Sequence, residues 1–125
     1  MATASPPSVM VVEDDTALLE TIVDVLSWHR WPIVGAAQDN AGAIHLASCR
    51  PDIALVDYEL KDGPSDALIE LLQAQNVNVL IFSGYAHDHL PSKFRRHAFL
   101  LKPFDVLTLM EALAQFDPQH FRPTG

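Results

Sequence analysis

Apolar runs and segments of helical spacing alternate along most of the chain. Five runs are apolar at successive positions rather than at alternate ones, and they cover residues 9–12, 32–37, 53–56, 77–82 and 98–101. An unbroken apolar run of this length is typical of a parallel strand that helices cover on both faces. The pattern therefore predicts a five-stranded parallel sheet as the middle layer of the molecule.

The segments between the runs have the spacing and the start signals of helices. In the first segment, Leu18, Ile22 and Leu26 recur at helical intervals. Side chains that can cap the first turn of a helix stand at Asp15 or Thr16, at Asp39 or Asn40, at Ser65 and at Asp105. Because strands alternate with helices, we expect an α/β fold with right-handed crossovers.

The fourth helical segment departs from this pattern. Only residues 84–98 separate Ser83, at the end of the fourth strand, from Phe99, and Pro91 interrupts them. Proline breaks the hydrogen bonding of a helix interior, so we expect a short or distorted fourth helix. The last helix, at about residues 106–116, should stop at Asp117 and Pro118.

Length and composition indicate one domain. The chain has 125 residues, of which 49% are hydrophobic, enough for one substantial core. We expect a domain at residues 8–117 between a disordered extension at 1–7 and a flexible tail at 118–125. No run approaches the ~20 apolar residues of a membrane span, and the first residues lack a secretion signal, which predicts a cytoplasmic protein with no membrane contact.

The charge argues against a nucleic-acid partner. The net charge is −8, whereas nucleic-acid-binding proteins need basic surface to displace counterions from phosphates. A local basic cluster, formed by Lys93, Arg95, Arg96 and His97, is an ordinary solvated face or a docking point for an acidic partner. We therefore expect a protein or a small molecule as the partner.

Polar residues with useful chemistry follow the apolar runs. Glu13 and Asp14 come after the first run, Asp57 after the third, Ser83 after the fourth and Lys102 after the fifth. Ligands of an open parallel sheet bind beyond the carboxyl ends of its strands, so these side chains should converge at one edge. The ordinary alternative is that the acids cap helices and that Lys102 is a loop residue.

The convergence predicts a metal-assisted reaction. Each pair of carboxylates brought within a few ångströms costs about 4 kcal/mol at the effective dielectric of a protein surface, and Lys102 alone cannot offset three of them. Mg²⁺ fits best, because it prefers oxygen ligands and commonly bridges carboxylates to phosphates. Glu13 and Asp14 would hold the ion, while Asp57 would attack phosphorus and form an aspartyl phosphate.

The segments VMVVEDD, IALVDYEL, VLIFSG and FLLKPF together resemble the receiver domains of bacterial response regulators, over about residues 8–116. The resemblance implies a doubly wound, flavodoxin-like sheet with strand order 2-1-3-4-5. The short stretch between Ser83 and Phe99 is similar to a single-domain subgroup whose fourth helix is reduced. Lys61 stands where many members carry proline in the loop after the third strand.

The resemblance also implies roles at the site. Asp57 would be the phosphoacceptor and Lys102 would contact the phosphoryl group. The Mg²⁺ ligands would be Glu13, Asp14, Asp57 and the main-chain carbonyl of Glu59.

Further roles implied by the resemblance concern switching. Ser83 and Phe99 would be the switch residues, with phenylalanine where the family often has tyrosine. The side chains of Glu59 and Tyr85 would set the lifetime of the phosphoryl group. A cis peptide bond would join Lys102 to Pro103.

The resulting prediction is a phosphoacceptor domain of two-component signal transduction that acts as a stand-alone switch or phosphorelay element. Its partners would be a sensor histidine kinase or histidine phosphotransfer protein and a downstream target protein. It would not be an enzyme beyond its own phosphotransfer and dephosphorylation. The alternatives are an aspartyl-phosphate phosphohydrolase, because Glu59 has the spacing of its second acid, and a receiver-like binding module that is never phosphorylated.

Overall fold

A parallel five-stranded sheet forms the middle layer in the computed structural model, which describes residues 6–117. Counting the strands of this sheet only, they are β1 (Val9–Val12), β2 (Ile33–Ala37), β3 (Ile53–Asp57), β4 (Asn78–Ser83) and β5 (Ala98–Leu101). Their order is β2-β1-β3-β4-β5, and all four neighbouring pairs are parallel. The predicted doubly wound, flavodoxin-like fold is confirmed.

Four helices connect or follow the strands: α1 (Thr16–Trp28), α2 (Asn40–Leu46), α3 (Asp66–Ala74) and α4 (Val106–Ala114). Three begin at an aspartate whose side chain accepts a backbone N–H of the first turn, namely Asp15, Asp39 and Asp105. The expected cap at Ser65 is wrong, because its hydroxyl is donated to the preceding backbone instead. Helix α4 ends two residues before the predicted end.

The two faces of the sheet carry separate halves of the core, which explains the unbroken apolar runs. Met10 and Val12 belong to a cluster with residues of α2 and α3. Val9 and Val11 belong to a second cluster with residues of α1 and α4. Because successive strand residues point to opposite faces and both faces are covered, the central strands are apolar at successive positions and polar only at their ends, as at Asp57 and Ser83.

The segment between β4 and β5 contains two short 3₁₀ turns, His87–His89 and Ser92–Phe94, in place of a fourth helix of the usual kind. This confirms the predicted reduction. Leu90 and Phe94 anchor the segment in the core, where they are 2% and 0% exposed. The Arg95 guanidinium donates to the carbonyls of Leu90 at 3.0 Å and Asp88 at 2.7 Å, so it satisfies backbone groups that a helix would have paired internally.

A two-stranded hairpin follows β3 and was not predicted. It pairs Glu59–Leu60 with Gly63–Pro64. Gly63 has φ of 121°, a conformation that side-chain-bearing residues rarely adopt. The predicted terminal segments fall mostly outside the described residues, which omit 1–5 and 118–125. Within the described part, no helix has the length and apolar character of a membrane span.

Phe94→Ala tests whether the segment between β4 and β5 is held by core packing. The free energy of unfolding should fall by about 3 kcal/mol, because the change removes a fully buried aromatic ring. Chemical denaturation of the two proteins measures the difference. Arg96→Ala, at an exposed position two residues away, should stay within about 0.5 kcal/mol of the parent; equal losses in both variants would contradict the assignment.

Candidate functional site

Three carboxylates and one ammonium group meet at the carboxyl edge of the sheet. Glu13 and Asp14 follow β1 and Asp57 ends β3, and each offers an oxygen within 4.8 Å of the oxygens of the other two. Lys102 follows β5, and its Nζ lies 2.6 Å from Glu13 Oε1 and 2.9 Å from Asp57 Oδ2. The parallel order of the strands brings these residues together from positions up to 89 apart in sequence.

Burial sets the electrostatics of this cluster. The residues Glu13 and Asp57 are 0% and 2% exposed, while Asp14 is half-buried. Burial, with the nearby Glu13 carboxylate, raises the pKa of Asp57 to about 7 against the opposing effect of Lys102. The same two causes raise the pKa of Asp14. Holding the three acids in their charged form therefore costs free energy in the isolated protein.

Lys102 is the cation of the cluster. Burial acts to lower its pKa, but the hydrogen bonds and charges of Glu13 and Asp57 outweigh burial and raise the pKa above its ordinary value. The ammonium group therefore stays charged across the neutral range. Its backbone N–H also donates to the Ser83 carbonyl at 2.8 Å, which joins the ends of β4 and β5.

The cluster fits a divalent cation. Its donors are carboxylate oxygens, which Mg²⁺ prefers, and three acids beside one ammonium leave an excess of negative charge. The oxygens lie close enough for one ion to contact all of them. Burial is the largest cause of the raised pKa of Asp57, and the nearby Glu13 carboxylate adds a repulsion that such an ion would relieve.

Ser83 and Glu59 form a contact beside the cluster. The Ser83 hydroxyl donates to Glu59 Oε2 at 2.6 Å, and the Gly84 N–H reaches Glu59 Oε1 at 3.3 Å. Ser83 Oγ in turn accepts the Tyr85 N–H at 3.0 Å. The Glu59 N–H lies 3.3 Å from Asp57 Oδ1. Glu59 therefore links the two residues: its backbone N–H contacts the Asp57 carboxylate, and its side-chain carboxylate accepts the Ser83 hydroxyl.

Solved structures of known proteins share this architecture. The chain is 27% identical to SdrG from Sphingomonas melonis Fr1, with 91% of this chain and 98% of that chain covered and a TM-score of 0.77. It is 22% identical to the PhyR response regulator REC domain from Erythrobacter litoralis, with 97% of each chain covered and a TM-score of 0.80. It is 24% identical to a CheY-like response regulator receiver domain from Methylobacillus flagellatus, with 90% and 100% covered and a TM-score of 0.77. No protein-family model and no curated protein matches the chain.

The chain has the fold of response-regulator receiver domains. The resemblance drawn from the sequence motifs is thereby confirmed, including the reduced segment between β4 and β5. The acidic cluster lies at the carboxyl edge of the sheet, where the winding of a doubly wound fold leaves a crevice.

The remaining site residues proposed from sequence lie around this cluster rather than in it. Phe99 is half-buried, and its ring centroid is 5.1 Å from that of His87 in the segment that replaces the fourth helix. Tyr85 is 58% exposed and its ring lies 5.6 Å from that of His89. The Lys102–Pro103 peptide bond is cis.

Sequence reasoning missed residues that support the receiver site from the backbone side. Ser65 is fully buried, and its hydroxyl lies 3.1 Å from the Asp57 carbonyl and 3.3 Å from the Tyr58 carbonyl. Asn40 contacts Asp62, in the hairpin after β3. Both Ser65 and Asn40 had been marked only as possible helix caps, and no local pattern connects either to Asp57.

The pKa of Asp57 predicts a pH-dependent affinity for Mg²⁺. Below about pH 7 the carboxyl holds a proton that the ion must displace, so binding should strengthen as pH rises through that value. The dissociation constant for Mg²⁺ should be about tenfold larger at about pH 6 than at about pH 8. Calorimetric titration with MgCl₂ measures it.

Asp57→Asn is the control for this titration. It has no proton to release at this position, so its Mg²⁺ affinity should be weaker and should change less over the same range. The raised pKa of Asp57 also affects the free energy of unfolding of the parent without metal. Its stabilising contribution is fully present below about pH 4 and is lost as pH rises through about 7. A parent affinity that does not change with pH would contradict the assignment.

Proposed function

We propose that this receiver domain accepts a phosphoryl group on Asp57 and works as a switch or relay element of two-component signal transduction. One observation carries the proposal: a nearly fully buried carboxylate lies 2.9 Å from a lysine ammonium and within 4.8 Å of two further carboxylates. This arrangement has the parts that phosphoryl transfer needs, namely a nucleophile, a place for a divalent cation and a fixed positive charge.

The proposed reaction is an in-line displacement at phosphorus. A carboxylate oxygen of Asp57 forms a bond to phosphorus while the bond between phosphorus and the donor breaks, and the donor's leaving group takes the electron pair. Glu13 and Asp14, with Asp57 and the Glu59 carbonyl, would hold Mg²⁺, which supplies charge neutralisation. Lys102 would exchange part of its contact with Asp57 for a phosphoryl oxygen.

The switch follows from the hydroxyl of Ser83. In this structure the hydroxyl is donated to Glu59, so a phosphoryl group on Asp57 would have to compete for it. Transfer of this hydrogen bond would pull the end of β4 toward Asp57 and free space for Phe99, which now packs against His87. A modest difference in binding energy between the two arrangements is enough to shift their populations.

The partners follow from the class of domain. A receiver of this kind would take its phosphoryl group from a sensor histidine kinase or a histidine phosphotransfer protein and would pass the signal on through protein contacts. A structure of SdrG, 27% identical to this chain, is of a BeF₃-activated conformation, and beryllofluoride imitates a phosphoryl group on a carboxylate. That likeness supports the use of the same analogue here.

Phosphorylation of Asp57 is tested with acetyl phosphate and Mg²⁺. The parent should gain the mass of one phosphoryl group, and Asp57→Asn should gain none, because an amide is not nucleophilic toward phosphorus. Intact mass spectrometry after a short incubation measures the adduct. Asp24→Asn, at an exposed position on α1, should be modified as the parent is.

Two results would reject this function. An adduct in Asp57→Asn would place the phosphoryl group elsewhere, and no adduct in the parent at saturating Mg²⁺ would favour a binding module. Sustained turnover of ordinary phosphomonoesters would instead favour the phosphohydrolase.

The contact between Glu59 and Ser83 predicts the effect of Glu59→Ala. Loss of the acceptor frees the Ser83 hydroxyl for a phosphoryl analogue, so beryllofluoride should bind about tenfold more tightly, since hydrogen bonds to charged groups contribute about 1.5 kcal/mol or more. Fluorine NMR titration in Mg²⁺ measures binding. In a Ser83→Ala background, Glu59→Ala should gain much less; an equal gain in both backgrounds would show that charge alone is responsible.

A further inference from the structure

The hairpin after β3 holds a ligand and a switch contact of the proposed site, and lysine stands at position 61. Lys61 and Asp62 form its tip, and both are exposed. Gly63 follows the tip with a φ of 121°, and as a glycine it has more backbone freedom than the other residues of the hairpin. A two-stranded hairpin of this size is not stable by itself, so something else must fix its position.

Asn40, the first residue of α2, provides such a fixing contact. Its backbone N–H lies 3.0 Å from both carboxylate oxygens of Asp62. Its side-chain amide nitrogen lies 3.0 Å from Asp62 Oδ1 and from the Gly63 carbonyl, and 3.3 Å from the Pro64 carbonyl. One residue of α2 thus contacts three successive residues of the hairpin.

The side-chain amide contacts of Asn40 are separate from the capping of α2, to which Asp62 contributes by accepting the backbone N–H of Asn40. Asp39 already accepts the Gly42 N–H at 2.8 Å and occupies the cap position. The side chain of Asn40 points away from its own helix to the hairpin carbonyls. The Asn40 backbone and side chain also lower the pKa of Asp62, so its carboxylate is charged throughout the neutral range.

A short path leads from this contact to the acidic cluster. Pro64, which Asn40 contacts, pairs with Glu59 across the hairpin. The following residue, Ser65, donates its N–H to the Tyr58 carbonyl at 3.0 Å. On the other side of the tip, the backbone N–H of Lys61, a group that proline lacks, acts to lower the pKa of the Asp14 carboxyl. The backbone N–H of Glu59 lies 3.3 Å from Asp57 Oδ1. Movement of the hairpin would therefore displace groups that act on two of the proposed metal ligands.

We propose that Asn40 and Asp62 form a clasp that positions the hairpin, and through it the Glu59 carbonyl and the Lys61 N–H, for Mg²⁺ binding next to Asp57. Both act as positioning residues, since neither touches the acidic cluster. The proposal rests on the proposed function, because it concerns the same metal site.

Asn40→Ala and Asp62→Ala test the clasp from its two sides. Each should weaken Mg²⁺ binding by about tenfold, the lower end of the usual effect of removing groups that support metal ligands. The double variant should lose little more than either single one, because both remove the same contact. Calorimetric titration with MgCl₂ gives the three constants.

Asp52→Ala is the matched control. Asp52 is also an exposed aspartate that accepts hydrogen bonds from another segment, here the N–H and hydroxyl of Ser8, but it precedes β3 at the opposite end of the sheet. Asp52→Ala should reduce thermal stability as the clasp variants do, but it should leave the Mg²⁺ dissociation constant unchanged. A merely structural role of the clasp would make all three variants behave alike.

Phosphorylation by acetyl phosphate adds a second readout. At low Mg²⁺ the clasp variants should react several-fold more slowly than the parent, and saturating Mg²⁺ should restore the parent rate, because Asp57 and Lys102 are intact. If the parent is phosphorylated and binds Mg²⁺ but both clasp variants bind Mg²⁺ with unchanged affinity, the clasp is overturned and the proposed function stands. Failure of the parent to bind Mg²⁺ or to be phosphorylated would instead overturn the proposed function and the clasp with it.

Discussion

The mutual repulsion of buried carboxylates is the constraint on which the rest of this site depends. Glu13, Asp14 and Asp57 are held together because two neighbouring strands of one parallel sheet, β1 and β3, end side by side, and the apolar core on both faces fixes the strands. Lys102 offsets part of the repulsion, while burial and the Glu13 carboxylate together still raise the pKa of Asp57 to about 7. Core packing thus maintains an arrangement that electrostatics alone would disperse, and this makes the site receptive to a cation.

Much of the fold could be predicted from the sequence because its signals are local. The unbroken run at Val9–Val12 matches its strand residue for residue, since burial on both faces demands apolar side chains at every position. The run at Ala98–Leu101 also matches its strand, although this edge strand leaves Leu101 51% exposed. Pro91 correctly indicated the reduced segment between β4 and β5. What anchors that segment, Arg95 bonded to carbonyls five and seven residues away, depends on a loop conformation that no periodicity encodes.

The site was predictable only as far as strand ends determine it. Asp57 and Lys102 follow apolar runs, and parallel topology then places them at one edge. Ser65 and Asn40 could not be predicted in their observed roles, because a polar residue before or at the start of a helix has the same local signature whether it caps that helix or bonds a distant backbone group. Asn40 and Asp62 meet across 22 residues, and only the three-dimensional structure reveals the contact.

Glu59 connects the two proposals, because it belongs to both the metal site and the switch. Its backbone lies in the hairpin that Asn40 and Asp62 hold, and its carboxylate accepts the Ser83 hydroxyl. A hairpin in a fixed position keeps that carboxylate in place and so favours the arrangement in which the Ser83 hydroxyl is donated to Glu59. The same fixed position would favour Mg²⁺ binding by the main-chain carbonyl of Glu59. The proposed clasp would therefore support metal binding and restrain switching at once. Removal of the Glu59 side chain would separate the two effects, because it abolishes the contact with Ser83 and leaves the main-chain carbonyl in position.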